Sequence, residues 1–339
     1  MMSQKGIIRL ESLPSVLSTG NVVGKKEHEG PLGKYFESFD ETDTFGMKTW
    51  EQSESEMQRL ALNRALDSGG FGIHDVDAIF AGDLINQCTS SGYGLANFDA
   101  PFFGLYGACS TIAEGIMLAS MLVDSGKFTR AAAVTSSHNC SAERQFRFPL
   151  EYGGQRPPTA QWTVTGSGAF IIGEHSRPPF IAEVLPGRVT DKGINDANNM
   201  GAAMAPAAVD TLKRYFDESQ KRPEDFSAII TGDLGFEGSG ILIDFLNGEG
   251  YDISDVHNDC GLMMFDRKGQ DVHAGGSGCG CSATVLSAYI LRKMLELELR
   301  DVLFIATGAL MSPASLQQGL TIPGIAHLVR FTMSEENNG

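Results

Sequence analysis

Positive charge is scarce in this chain. Its 339 residues carry 26 lysines and arginines against 42 aspartates and glutamates, a formal net charge of −16. A field of that sign repels nucleic acid and anionic headgroups, so direct binding to either polyanion is not expected. Long apolar runs are missing as well. The longest, Ile112 to Val123, falls short of the ~18–20 residues a membrane span needs and carries Glu114. The opening MMSQKGIIRLESLP has no apolar signal core. No transmembrane segment is expected, and any membrane association has to come through a partner. The six cysteines, at 88, 109, 140, 260, 279 and 281, form no CxxC pair and no zinc spacing; Cys279 and Cys281 stand one residue apart. Reduced thiols in a cytosol-like compartment, and no metal site, are the expectations. An Asp-x-Asp calcium loop of the EF-hand type is absent too.

What is present is a repeat. DVDAIFAGDLI at 75–85 returns as EDFSAIITGDLG at 224–235, each an apolar strand ending in Gly-Asp-Leu. An amphipathic helix precedes each copy, SESEMQRLALNRALDSGG in one and AAVDTLKRYFDESQ in the other. A small-residue turn opening an apolar helix follows each: GACSTIAEGIMLAS, then GCGCSATVLSAYIL. A further strand closes both units, RAAAVTSS at 130–137 and DVLFIATGA at 301–309. The helices from Ser110 and Ser282 are apolar nearly all round, which places them between layers. Strands alternating with such helices imply mostly parallel sheets, because parallel strands need crossovers. The expected architecture is a duplicated α/β protein with an N-terminal half at 1–175 and a C-terminal half at 176–339.

Between the repeats, AERQFRFPLEYGGQRPPTAQWTV reads as part of an excursion at 138–165 that covers a site. SGAFIIGE and FIAEVLPGRV read as the strands that follow. Asp83 and Asp233, each after glycine at a strand end, read as ordinary turn residues. Cys109 stands at the first turn of a buried helix, where unpaired N–H groups and the helix dipole favour thiolate. Burial among Leu105, Ala108 and Ile112 acts the other way. From residue types alone it is either a nucleophile or a small buried residue.

A cysteine turn paired by duplication with a glycine-rich turn, HAGGSGCGCSAT, resembles the thiolase-like superfamily, together with TVTGSGAFII at 163–172 and FIATGAL at 304–310. The resemblance implies a five-layered α/β/α/β/α fold with internal duplication, with Cys109 at the nucleophile position. Enzymes of that superfamily supply a His and an Asn, or two His, from the second half to stabilise an oxyanion and a carbanion. The matching turn here, TGDLG at 231–235, has no histidine; His273 and His138 are the remaining candidates. An acyltransferase using Cys109 is the alternative function.

Longer segments, among them GNVVGKKEHEGPLGKYFESFDETDTFGMKTWEQSESEM, HNCSAERQFRFPLEYGGQRPPTAQWTVTGSGAF and TGALMSPASLQQGLTIPGIAHLV, resemble the stage V sporulation AD family of spore-forming bacteria. That resemblance implies binding of dipicolinic acid or calcium dipicolinate, in its uptake into and release from the spore, without established catalysis. It implies a peripheral place at the spore inner membrane beside membrane-embedded stage V A proteins. No cofactor is implied, and calcium enters only with the ligand. For a planar dianion the candidate contacts are Cys109, His138, Arg144, Arg147, Arg156, Gly276 and Gly278: helix-terminal and glycine N–H groups with arginine forks. A homodimer paired through an edge strand is expected, with the strand at Ala131 to Ser136 as that edge.

Overall fold

The computed structural model describes residues 6–146 and 156–335. From the N-terminus run β1 (Ser15–Gly24), α1 (Trp50–Gly69), β2 (Ala78–Gly82), β3 (Phe102–Gly104), α2 (Thr111–Asp124), β4 (Arg130–Ser137), α3 (Asn139–Phe146) and β5 (Gly166–Gly173). Then follow β6 (Phe180–Leu185), α4 (Met200–Ser219), β7 (Ala228–Thr231), α5 (Gly235–Gly248) and β8 (His257–Asp259). The chain ends with α6 (Cys279–Val285, continuing through a π turn at Leu286–Ile290 and a last turn at Leu291–Leu295), β9 (Asp301–Ala309) and β10 (Gly324–Thr332).

The repeat in the sequence becomes a repeat in strand order. One set runs β3-β2-β4-β5-β1 and the other β8-β7-β9-β10-β6. In each, the strand ending in Gly-Asp lies parallel to both neighbours, and the last three strands of the order alternate in direction. The sets join at the single pair Ser15–Phe180.

Period-two alternation decides what each face touches. On β4, Ala131 and Ala133 belong to the central core shared with Ile112 and Ile116 of α2, whereas Ala132 and Val134 meet Ala61, Leu62 and Ala65 of α1. On β9, Val302, Phe304 and Ala306 face the same central core, and Leu303 and Ile305 meet Leu212 and Phe216 of α4. The layers are therefore α1, first sheet, α2 with α6, second sheet, and α4 with α5 packed against it. This is the five-layered α/β/α/β/α arrangement.

Local chemistry fixes the outer helices. Thr49 caps α1 by accepting the Gln52 N–H, and Gly70, left-handed at φ 69°, ends it. Asn199 caps α4 in the same way through the Ala202 N–H. One expectation is corrected here. The strand at Ala131 to Ser136 is not an edge: β4 is hydrogen-bonded on one side to β2 and on the other to β5. The edge of that sheet is β3, three residues with Phe102 and Phe103 both exposed. So short a strand, after a polar glycine-containing stretch, carries no alternation to read.

Candidate functional site

The two cysteine turns meet between the sheets. Cys109 lies in the turn Ala108–Ser110 that leads into α2, and Ala108 takes a left-handed φ of 50°. Thr111 Oγ1 accepts the Gly107 N–H at 3.1 Å and donates to the Ala108 carbonyl at 2.6 Å, holding the turn shut. That turn rests on Gly308 of β9, where a Cβ would come within 2.2 Å of the Gly107 oxygen. The pseudo-equivalent Cys279, at the start of α6, donates its thiol to the Ala108 carbonyl at 3.0 Å.

The group facing Cys109 is Asp233, and it is fully buried. Its Oδ2 accepts the Ser277 hydroxyl at 3.0 Å and the Gly278 N–H at 2.8 Å; its Oδ1 accepts the Thr307 hydroxyl at 2.9 Å. The Asp233 carboxyl also acts electrostatically on the Cys109 thiol. Burial pushes the Asp233 carboxyl above its usual range, against the pull of these hydrogen bonds. Burial first, then the Asp233 and Cys279 charges, push the Cys109 thiol well above the ordinary thiol range. A nucleophilic cysteine needs the opposite shift. The helix-start position that favours thiolate is outweighed by desolvation and by the Asp233 charge.

Asp233 is therefore more than the ordinary turn residue its sequence context suggests. Asp83 keeps to that role, accepting Ile85 N–H and the Ser91 N–H and hydroxyl within its own loop. Asp233 instead reaches the glycine-rich turn and Thr307 of β9. The signal in the sequence was the repeat itself: Gly-Asp at the same place in both copies, beside the layer where both cysteine turns converge.

The cavity over Cys109 is bounded by Leu84, Tyr106, Phe146, Met200, Ser277 and Met311, and its volume of about 40 Å³ holds roughly three waters. Of the expected contacts, Cys109 lines this cavity and Gly278 lies behind its Ser277 wall, on Asp233. The Gly278 N–H is spent on that carboxyl, and the Gly276 carbonyl accepts Gln161 Nε2 at 2.8 Å. His138 lies outside the cavity wall. Its Nδ1 accepts the Cys140 N–H and its Nε2 donates to the Asp43 carbonyl, which fixes a neutral ring. Arg144 pairs with Glu51. Arg156 pairs with Asp271 at 2.7 Å and lies over the Trp162 ring. His273 lies between the Pro157 carbonyl and Asp271, away from Cys109. Arg147 falls outside the described residues. Among the described residues, no group of three or more His, Cys, Asp or Glu is placed to hold a metal ion.

Buried acids surround the central layer. Burial raises Glu27 and Glu54 to about 8 and Asp259 to about 7. A carboxyl whose folded value is raised retains its proton in the folded state after the unfolded chain has lost it. Its stabilising contribution is complete below the unfolded value and fades as pH rises through the folded one. Buried His257 and His327, lowered to about 4, act in the opposite sense but only below the usual histidine range. Between pH 7 and 9 these acids, joined toward pH 9 by the buried thiols, act in one sense, so stability measured by urea unfolding should fall, by up to about 1.4 kcal/mol per pH unit for each proton retained. A flat or rising profile would show that these carboxyls are ionised in the fold.

No helix among the described residues is long and apolar enough to cross a membrane. Comparison with known proteins gives the same architecture and a narrower kinship. The fold is that of 3-oxoacyl-(acyl carrier protein) synthase III from Xanthomonas oryzae, at TM-score 0.59 and 14% identity over 96% of this chain and 100% of that one. The corresponding synthase of Aquifex aeolicus matches at TM-score 0.57 and 14% identity, covering 94% and 99%. At those identities the likeness shows the thiolase-like fold alone. Stage V sporulation protein AD of Bacillus subtilis is 45% identical over 316 residues, 93% of each chain. The family model for stage V sporulation protein AD matches residues 4–332. The chain belongs to the stage V sporulation protein AD family.

Proposed function

We propose that this chain binds dipicolinate, alone or with calcium as its counter-ion, in the cleft over Cys109, and that it performs no acyl transfer there. The observation that carries the reading is a buried acid, Asp233, held by Ser277 and Gly278 behind the cavity that Cys109 lines, where its charge and burial raise the thiol. It removes the thiolate from a thiolase-fold cleft and leaves a small desolvated space with hydroxyls of Thr163 and Ser277 at its wall. Membership in a sporulation family gives the ligand its setting. A pyridine ring with two carboxylates exceeds the space of about 40 Å³, so binding requires Phe146, Tyr106 or Met200 to swing outward. Phe146 ends α3, which also carries Arg144, and a bound carboxylate competes with Glu51 for that guanidinium.

Calorimetric titration with dipicolinate, with and without calcium, tests the reading. Saturable heat is expected from the wild type, with at least tenfold weaker binding in Ala142→Trp, which fills the cavity. The absence of saturable heat under both conditions would contradict it.

In this reading the protein acts in dipicolinate uptake and release, docked at the spore inner membrane through membrane-embedded partners, as a homodimer. Its β3 edge, with Phe102, Phe103 and Tyr106 exposed, is the pairing surface, because an unpaired edge bearing aromatic rings favours strand addition. Light scattering should give twice the chain mass, and the monomer for Phe103→Asp; a wild-type monomer at micromolar concentration contradicts the dimer.

A further inference from the structure

A second cavity, of about 420 Å³, opens between β1 and the C-terminal end of α6, remote from the residues around Cys109. Two backbone irregularities converge on it. The π turn of α6 at Leu286–Ile290 places Ser287, Ala288 and Leu291 in its wall, and the register of β1 against β5 shifts between Val16 and Ser18 in the facing wall. Such irregularities re-aim side chains and recur at binding sites.

The wall is apolar through Leu17, Leu291 and Leu295, and its charged groups are Arg177, Arg292 and Glu37. Arg177 donates to the Leu17 carbonyl at 3.0 Å; Arg292 donates through Nε to Glu296 and lies over the Tyr35 ring. A guanidinium carries five N–H donors, so each retains donors for an incoming anion. The Glu37 carboxyl accepts from Asn21 Nδ2 and faces Arg64, outside the wall, at 3.9 Å, so its charge is partly met by a third guanidinium. The cavity is thus locally cationic in a chain of net charge −16. Its volume lies in the range of small-molecule sites.

We propose that this cavity binds an amphipathic anion, a carboxylate or phosphate head on a single apolar chain, with the head between Arg177 and Arg292 and the chain along Leu17, Leu291 and Leu295. The head can come from a soluble amphiphile or from a lipid. Titration of the full chain with octyl phosphate, below its micellar range, is expected to show saturable binding. Octyl glucoside, uncharged and of equal chain length, should bind at least tenfold more weakly. Arg177→Gln combined with Arg292→Gln, and separately Leu295→Glu, should each weaken octyl phosphate binding at least tenfold; all three positions are exposed, so the fold is retained. Flotation with phosphatidylglycerol vesicles, abolished by the same variants, would assign the head to a lipid. Absence of binding to both probes, or binding that the variants leave unchanged, would overturn the proposal. Neither outcome bears on dipicolinate at the Cys109 cleft.

Discussion

Replacing Asp233 by Ala is expected to destabilise the fold by about 3–5 kcal/mol, because one buried carboxyl satisfies several donors at once. Ser277, Gly278 and Thr307 hydrogen-bond to it at 2.8–3.0 Å. These groups come from the glycine-rich turn and β9, so the carboxyl ties its own strand end to two other segments. Each donor left buried without a partner costs roughly 1–3 kcal/mol, and the costs are not additive because the groups share one cavity. Asp233→Asn keeps the shape and one acceptor but points an amide toward groups that donate; about 1–3 kcal/mol is expected. Urea unfolding reads both values as a shifted midpoint at unchanged slope. A loss below about 1 kcal/mol for the Ala variant would mean that the carboxyl does not hold the site together.

The second large effect concerns the thiol. With the half-exposed Cys88 and Cys140 replaced by Ser, iodoacetamide at neutral pH should modify the folded chain at least a hundredfold more slowly than the urea-unfolded chain. Cys109, Cys260, Cys279 and Cys281 are all buried, and burial raises each of them well above the ordinary thiol range. Cys109 differs from the other three in having Asp233 as the leading charge that acts on it. Asp233→Asn removes that charge and should raise modification of Cys109, located by peptide mapping, at least tenfold. Equal rates in the two proteins would show that access alone, and not the facing acid, silences the thiol.

These effects were only partly visible in the sequence. Helix, strand, cysteine turn, helix and strand recur in order, and each recurrence maps onto the same position in the two strand orders. Apolar periodicity shows this because it depends on neighbours in the chain. The site depends on groups that are distant in it. Cys109 and Asp233 stand far apart in sequence, and no local pattern reports that a turn aspartate will cross the layer between sheets. The arginines fail for the same reason: Glu51 takes Arg144 from 93 residues away, and Asp271 takes Arg156 from 115. The second cavity has no motif at all, since residues of five separate stretches, 16–21, 35–37, 68, 177–179 and 287–295, build it. The edge strand was misplaced because β4, with its run of small residues from Ala131 to Ser137, looks like any strand, whereas the true edge is three residues long.

Covalent chemistry at Cys109 separates a binding cleft from an acyltransferase most directly. The full chain is incubated with a panel of acyl-CoA thioesters, from acetyl to long-chain, and its intact mass is measured against Cys109→Ala. With the thiol held protonated against Asp233, the mass should stay that of the unmodified chain across the panel. An acyl adduct that forms on the wild type and is lost in Cys109→Ala would contradict the proposed function.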